Sequence, residues 1–190
     1  MTKTEITDLL HNALTYRSRT SYKFYFLKSI FYLCKKKDTL KFADIGLEMI
    51  VQSWNDLSNE DYHYTKTDKL KKHKIDLMRN FSICEYENKE KVRKILKDNF
   101  NSLIEYISKD VTAYCPYLFI SVGQWDKQLK GIQNYHQRHK MIQEYSQNSS
   151  CLYEVYDDYL ILNSEYFEII NENDSYFFEF VNNELMDYLR

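Results

Sequence analysis

Apolar residues recur along this chain at intervals of three and four, a spacing that predicts helices over most of its length. The densest stretch is Ser21 to Leu33. There Phe24, Leu27, Phe31 and Cys34 share one face, and Ile30 and Leu33 widen it until little circumference is left for water. A helix of that kind must be central. Ser21 is placed to cap it by accepting a backbone N–H, and Lys35, Lys36 and Lys37 are expected in its last turn, where the carbonyl dipole favours cations. Lys23 and Lys28 are its polar exceptions. Before it, Thr4 to Thr15 carries Ile6, Leu9, Leu10, Ala13 and Leu14 on one face, with Thr4 as the cap. After it, Phe42 to Leu57 sets Ile45, Met49, Ile50 and Trp54 in register, so Trp54 reads as a core plug rather than a stacking platform.

Further on, Thr67 can cap a helix running to about Phe81 through Leu70, Leu77 and Met78. Asn88 to Ser108 predicts one long helix through Val92, Ile95, Leu96, Phe100, Leu103, Ile104 and Ile107. Tyr114 to Gly123 holds the single proline. Pro116 biases Cys115 toward extended geometry, which predicts an extended strap across the core. Gln124 to Ser150 is polar and reads as a loose helix followed by a linker. Leu152–Tyr156 and Tyr159–Leu162 flank Asp157-Asp158, a hairpin signal. Ser164–Ile170 predicts a short helix, and Asp174–Leu189 a last one capped by Asp174, with Phe177, Phe178, Val181, Leu185 and Leu189 inward. The expected fold is mainly α: a single-domain helical bundle of five to seven helices with a small C-terminal β-hairpin.

Composition agrees with this. A chain of 190 residues suits one core, and 44% hydrophobic residues with only 3 Gly and 1 Pro argue against both disorder and a turn-rich sandwich. The 18 Tyr and 11 Phe are open to two readings, stacking platforms for nucleic acid or bulky packing units. Charge changes the picture more. The net charge of −2 conceals a division, because residues 151–190 hold ten acidic residues against Arg190 alone. Residues 1–150 hold the other 25 basic and 18 acidic ones. The chain therefore divides into a basic helical body, 1–150, and an acidic hairpin-plus-helix segment, 151–190, expected to pack on the same domain.

Basic residues supply the candidate nucleic-acid-binding set. Arg17 and Arg19 precede the N-terminus of the central helix, where backbone N–H groups and cations can together hold a phosphate, and Lys23 follows them. Lys66, Lys69, Lys71, Lys72 and Lys74 crowd one segment and could neutralise several phosphates, or form an ordinary solvated face. Arg138 and Lys140 flank His139 in the polar stretch. Catalytic patterns are missing: there is no phosphate-binding GxxxxGK[ST], no HExxH and no GxSxG. His136 and His139 lie three apart without a third ligand nearby, and Cys34, Cys84, Cys115 and Cys151 are too scattered for zinc, so no cofactor or metal is expected. The cysteines read as reduced thiols, mostly in the core. With no signal-like start and no membrane-length apolar run, the expected location is the cytoplasm, with no membrane partner.

The order of segments resembles the region that precedes the nuclease motif in bacterial HNH-endonuclease-domain proteins of restriction and phage defence. The resembling pieces are Thr20-Ser-Tyr-Lys-Phe-Tyr-Phe-Leu27, Met49-Ile with Trp54 closing the next helix, Thr67-Asp-Lys-Leu70, Pro116-Tyr-Leu-Phe119, and the tail from Leu152 through Asp187-Tyr-Leu189. The HNH histidines and asparagine of that family lie beyond the segment matching Tyr188-Leu189, so no catalytic residue carries over. Thr65-Lys-Thr stands where the family tends to have Gly-Lys-Gln, and Leu118 replaces an arginine. The resemblance implies a non-catalytic nucleic-acid-recognition or accessory subunit of a defence system, with nucleic acid or a nuclease-type protein subunit as partner. The acidic segment leaves an alternative open: a protein-interaction scaffold, or a phage-encoded inhibitor that imitates DNA.

Overall fold

The computed structural model describes residues 1–15, 20–66, 68–110, 115–121, 125 and 128–190. The fold is mainly α, with a small antiparallel sheet toward the C-terminal side. Among the described residues the helices are α1 (Lys3–Thr15), α2 (Tyr22–Leu33), α3 (Phe42–Ser53), α4 (Leu70–Phe81), α5 (Lys89–Asp98), α6 (Phe100–Asp110), α7 (Cys115–Ser121), α8 (Tyr135–Gln147), α9 (Ser164–Glu172) and α10 (Asp174–Leu189). A 3₁₀ turn, Asp56–Ser58, follows α3, and the strands among the described residues are β1 (Thr39–Lys41), β2 (Tyr153–Val155) and β3 (Tyr159–Leu162).

Helix α2 is central, as its apolar density predicts. Every residue from Phe24 to Phe31 is buried, Lys28 and Ser29 included, and α3 and α10 pack against it. Its ends differ from expectation. The helix stops at Leu33, which leaves Lys35, Lys36 and Lys37 beyond its last turn. Ser21 makes no side-chain cap to the backbone of α2. It instead gives its N–H and hydroxyl to Asp68 Oδ2, at 2.7 and 2.5 Å, while Asp68 Oδ1 accepts from the Leu70 N–H at 3.1 Å. One buried carboxylate thus ties together the starts of α2 and α4. The expected cap, Thr67, lies outside the described residues. At α1 the cap is Thr2 rather than Thr4: its Oγ1 accepts from the Glu5 N–H while Glu5 accepts from the Thr2 N–H, a reciprocal capping box.

The long helix predicted through Ser108 is two. Asn99 separates α5 from α6, and its side-chain amide donates to the Ile95 carbonyl at 2.9 Å, ending the first ladder. The expected extended strap is the helix α7. Pro116 sits in its first turn, where a missing N–H costs nothing and the fixed φ suits the helix, and the buried Tyr153 hydroxyl donates to the Pro116 carbonyl at 2.7 Å. Within the polar stretch, α8 starts at Asn134, whose side chain accepts from the Gln137 N–H.

The predicted hairpin is present, closed across Asp157-Asp158 by the Tyr156 N–H donating to the Tyr159 carbonyl. The local pattern does not reveal that β1 joins it. In the order β1-β3-β2, Leu40 pairs with Leu160 and Leu160 with Val155, all three buried on one face. The acidic segment is therefore built into the fold. Its strand β3 takes hydrogen bonds on both edges, and α10 sends Phe177, Val181, Leu185 and Leu189 into the core. An ion pair from Asp174 to Lys35 (2.5 Å) and a hydrogen bond between His11 Nδ1 and Glu184 Oε1 (2.8 Å) join it to the region after α2 and to α1.

Candidate functional site

Helix α4 owes its orientation to its inner face. Leu70 and Leu77 are buried, and His73 is held by the Tyr106 hydroxyl at its Nδ1, with the two rings edge to face at 4.7 Å. Lys74 is 2% exposed. Its ammonium donates to the Trp54 carbonyl at 2.7 Å and to the Ser58 hydroxyl, and lies 5.2 Å from the centre of the Trp54 ring. Burial lowers its pKa, Glu85 partly opposing that and Lys71 adding to it. Lys74 is thus a structural lysine turned inward, and it leaves the set of residues able to meet a phosphate.

What remains outward on α4 is Lys71, Lys72, Ile75, Arg79 and Asn80, with Lys66 and Lys69 exposed just before the helix. Over residues 66–79 the acidic groups are Asp68, buried and occupied with its three hydrogen bonds, and the half-buried Asp76. Tyr86, 72% exposed, follows in the loop after α4 and has its ring 5.9 Å from Lys74 Nζ. Lysines spaced along one outer helical face can neutralise backbone phosphates, whereas the Tyr86 ring is held on the side of the inward Lys74, its hydroxyl donating to the Ser58 carbonyl.

Of the other predicted basic residues, those that are described do not join this face. Arg17 and Arg19 lie outside the described residues. Lys23 is half-buried, donates to the Ala13 carbonyl at 2.8 Å, and has its pKa lowered by burial, so it ties α1 to α2. Arg138 is half-buried and Lys140 exposed on α8, which packs against β2 and α7, whereas α4 packs on α3 and the 3₁₀ turn. Between them on α8, His139 lies flat on the Tyr117 ring at 3.9 Å, an arrangement of packing rather than ligation. No group of three or more His, Cys, Asp or Glu able to hold a metal ion occurs among the described residues. All four cysteines are free thiols: Cys115 and Cys151 are buried, Cys34 is half-buried and Cys84 is exposed. None of the described helices is long and apolar enough to cross a membrane.

Sequence reasoning missed the buried charges beneath α3. Glu48, 1% exposed, accepts from Arg93 Nε at 2.8 Å and Nη2 at 2.6 Å, and from Gln52 Nε2 at 2.7 Å. Arg93 also reaches Glu90 and stacks 4.2 Å above the Tyr32 ring. These contacts engage all three nitrogens of the fork, and they mark the group as part of the frame. The available signal was a glutamate set between the apolar residues Leu47 and Met49 in mid-helix. Comparison with protein-family models, with curated proteins and with solved structures finds no match to this chain.

Proposed function

We propose that this chain is a non-catalytic nucleic-acid-recognition or accessory component of a bacterial phage-defence or restriction-type system, working in the cytoplasm and meeting the phosphate backbone through α4. The observation that carries the reading is the outer face of α4, where Lys71, Lys72 and Arg79 are exposed, with Lys69 exposed just before the helix, while Asp68 is buried and consumed by capping. Binding through such a face is largely independent of base sequence and falls steeply with salt. The test is fluorescence anisotropy with labelled single- and double-stranded DNA and RNA over a salt series. The Lys69→Gln/Lys71→Gln/Lys72→Gln variant is expected to lose affinity and to flatten the log–log salt slope by about 2 to 3. Lack of binding at low salt, or a variant indistinguishable from the parent, overturns the reading. On this reading the purified chain cuts neither DNA nor RNA with magnesium, manganese or zinc. Metal-dependent cleavage that follows the protein through purification would make it an enzyme.

A second reading is favoured by the surface of α9 and α10, which exposes Glu165, Glu168, Glu172, Glu179 and Asp187. A basic protein partner, such as a nuclease subunit, would dock there, and the chain would act as a scaffold or as an inhibitor imitating DNA. Neutralising Glu172, Glu179 and Asp187 to Gln or Asn leaves the buried face of α10 intact. It should weaken a partner identified by co-purification from the host while nucleic-acid binding stays unchanged.

A further inference from the structure

On the outer side of α4, Lys72, Ile75 and Arg79 stand at positions i, i+3 and i+7 and are all exposed, Ile75 by 39%. On α9, Glu165, Ile169 and Glu172 stand at i, i+4 and i+7, with both glutamates exposed and the isoleucine half-buried. Each helix thus carries an isoleucine between two charges of one sign, about 10.5 Å apart along the axis. The intervals run in opposite orders, three then four on α4 and four then three on α9. Laid antiparallel, the two lines fall into register: Lys72 meets Glu172, Ile75 meets Ile169 and Arg79 meets Glu165.

None of Lys72, Arg79, Glu165 and Glu172 forms an ion pair or a side-chain hydrogen bond with another described residue. On the neighbouring α10, by contrast, Asp174 and Glu184 are engaged by Lys35 and His11. Both lines are exposed, so neither covers the other: α4 packs on α3 and the 3₁₀ turn, α9 on α1 and α10. Helix α9 has no basic residue, and the acid beside the α4 line, Asp76, is half-buried. A net charge of only −2 sets little overall repulsion between copies of the chain.

We infer that the outer face of α4 is a docking surface for a second copy of this chain, which lays the outer face of its α9 antiparallel along it. The charges fix polarity and register, and the two isoleucines supply the dry centre. Because the two faces differ, the contact is heterologous and leaves each copy with one face free, so copies add in a row unless a ring closes. A contact of two helices is small, so the association is weak and salt-sensitive. The inference rests on the second reading above, whose basic partner it identifies as α4 of another copy.

The test is sedimentation equilibrium of the full chain over concentrations up to about 0.5 mM, in about 50 and about 300 mM NaCl. The average mass should rise with concentration at low salt, and the apparent Kd should weaken about tenfold or more at high salt. Lys72→Glu and Glu172→Lys, each alone, set like charges face to face and should weaken association about fivefold or more. Both in one chain restore an opposite pair at the parent's net charge and should bring the Kd back to within about twofold. Each reversal suits its helix end, a glutamate in the first turn of α4 and a lysine in the last turn of α9, so the variants are expected to fold, as circular dichroism checks. A monomer at every concentration, single variants that associate like the parent, or a double variant no better than the singles overturns the inference. Fluorescence anisotropy with labelled octalysine separates this outcome from failure of the underlying reading. Octalysine bound by a parent that stays monomeric, and lost in Glu172→Lys, overturns the second copy as partner while the acidic docking face stands. A monomeric parent that binds no octalysine overturns both.

Discussion

Glu48 and Arg93 sit 45 positions apart and are almost wholly removed from water, at 1% and 5% exposed. Each alone would be an intolerable buried charge. Together, with Gln52 and Tyr32, they satisfy each other, and the hydrogen bonds that Arg93 donates to Glu48 raise its pKa beyond the ordinary value. Removing one partner leaves the other buried without compensation. Arg93→Met or Glu48→Leu alone should therefore cost about 3 to 5 kcal/mol of stability in urea unfolding, while the double variant recovers most of the loss. His139 gives a residue-level prediction about pH. Burial first, then His136 and Arg138, push its pKa below the usual 6.5. The unfolded chain thus takes up its proton at a higher pH than the folded one. The stability that the neutral ring contributes is present above pH 6.5 and is lost as pH falls through the folded value. Urea midpoints at pH 7.5 and 5 should accordingly differ less for His139→Phe, which keeps the contact with Tyr117, than for the parent.

At the scale of elements, two helix starts share one carboxylate. Asp68→Ala would strip an acceptor from the Ser21 N–H and hydroxyl and from the Leu70 N–H, at an expected cost of about 2 to 3 kcal/mol. Hydrogen exchange should show protection falling at the N-termini of both α2 and α4. Loss confined to α4 would mean that the link to α2 contributes little. Helix α10 has the opposite character from a detachable acidic tail. Phe177 is fully buried with its ring edge-on to Phe31 at 6.2 Å, so Phe177→Ala should cost about 3 to 5 kcal/mol. Charge substitutions on the outer side of the same helix should leave stability within about 0.5 kcal/mol of the parent.

The whole molecule is divided by charge but not by packing. The boundary near residue 150 separates a basic from an acidic sequence, yet β3 lies between β1 and β2, and α10 lies against α2 and α1. Unfolding should accordingly be one transition. The fluorescence of the buried Trp54 and Trp125 and the helical circular dichroism are expected to change at the same urea concentration, and separated midpoints would show independent units. Much of this architecture was legible in the chain itself. The periodicity of α1, α2, α3 and α10, the alternation around Asp157-Asp158 and the register of Trp54 are local patterns, and helices and hairpins obey local rules of spacing. The break at Asn99 and the helical path through Pro116 escaped, because periodicity runs through both sites and the deciding interactions are single hydrogen bonds, one of them to the distant Tyr153. Tertiary structure alone decided the pairing of β1 with β3. It alone also turned Lys74 inward among other lysines, matched Glu48 to Arg93, and paired Lys28 with Asp56. A charge can be buried only where another part of the chain compensates it, and that pairing joins residues whose separation along the sequence leaves no periodic trace.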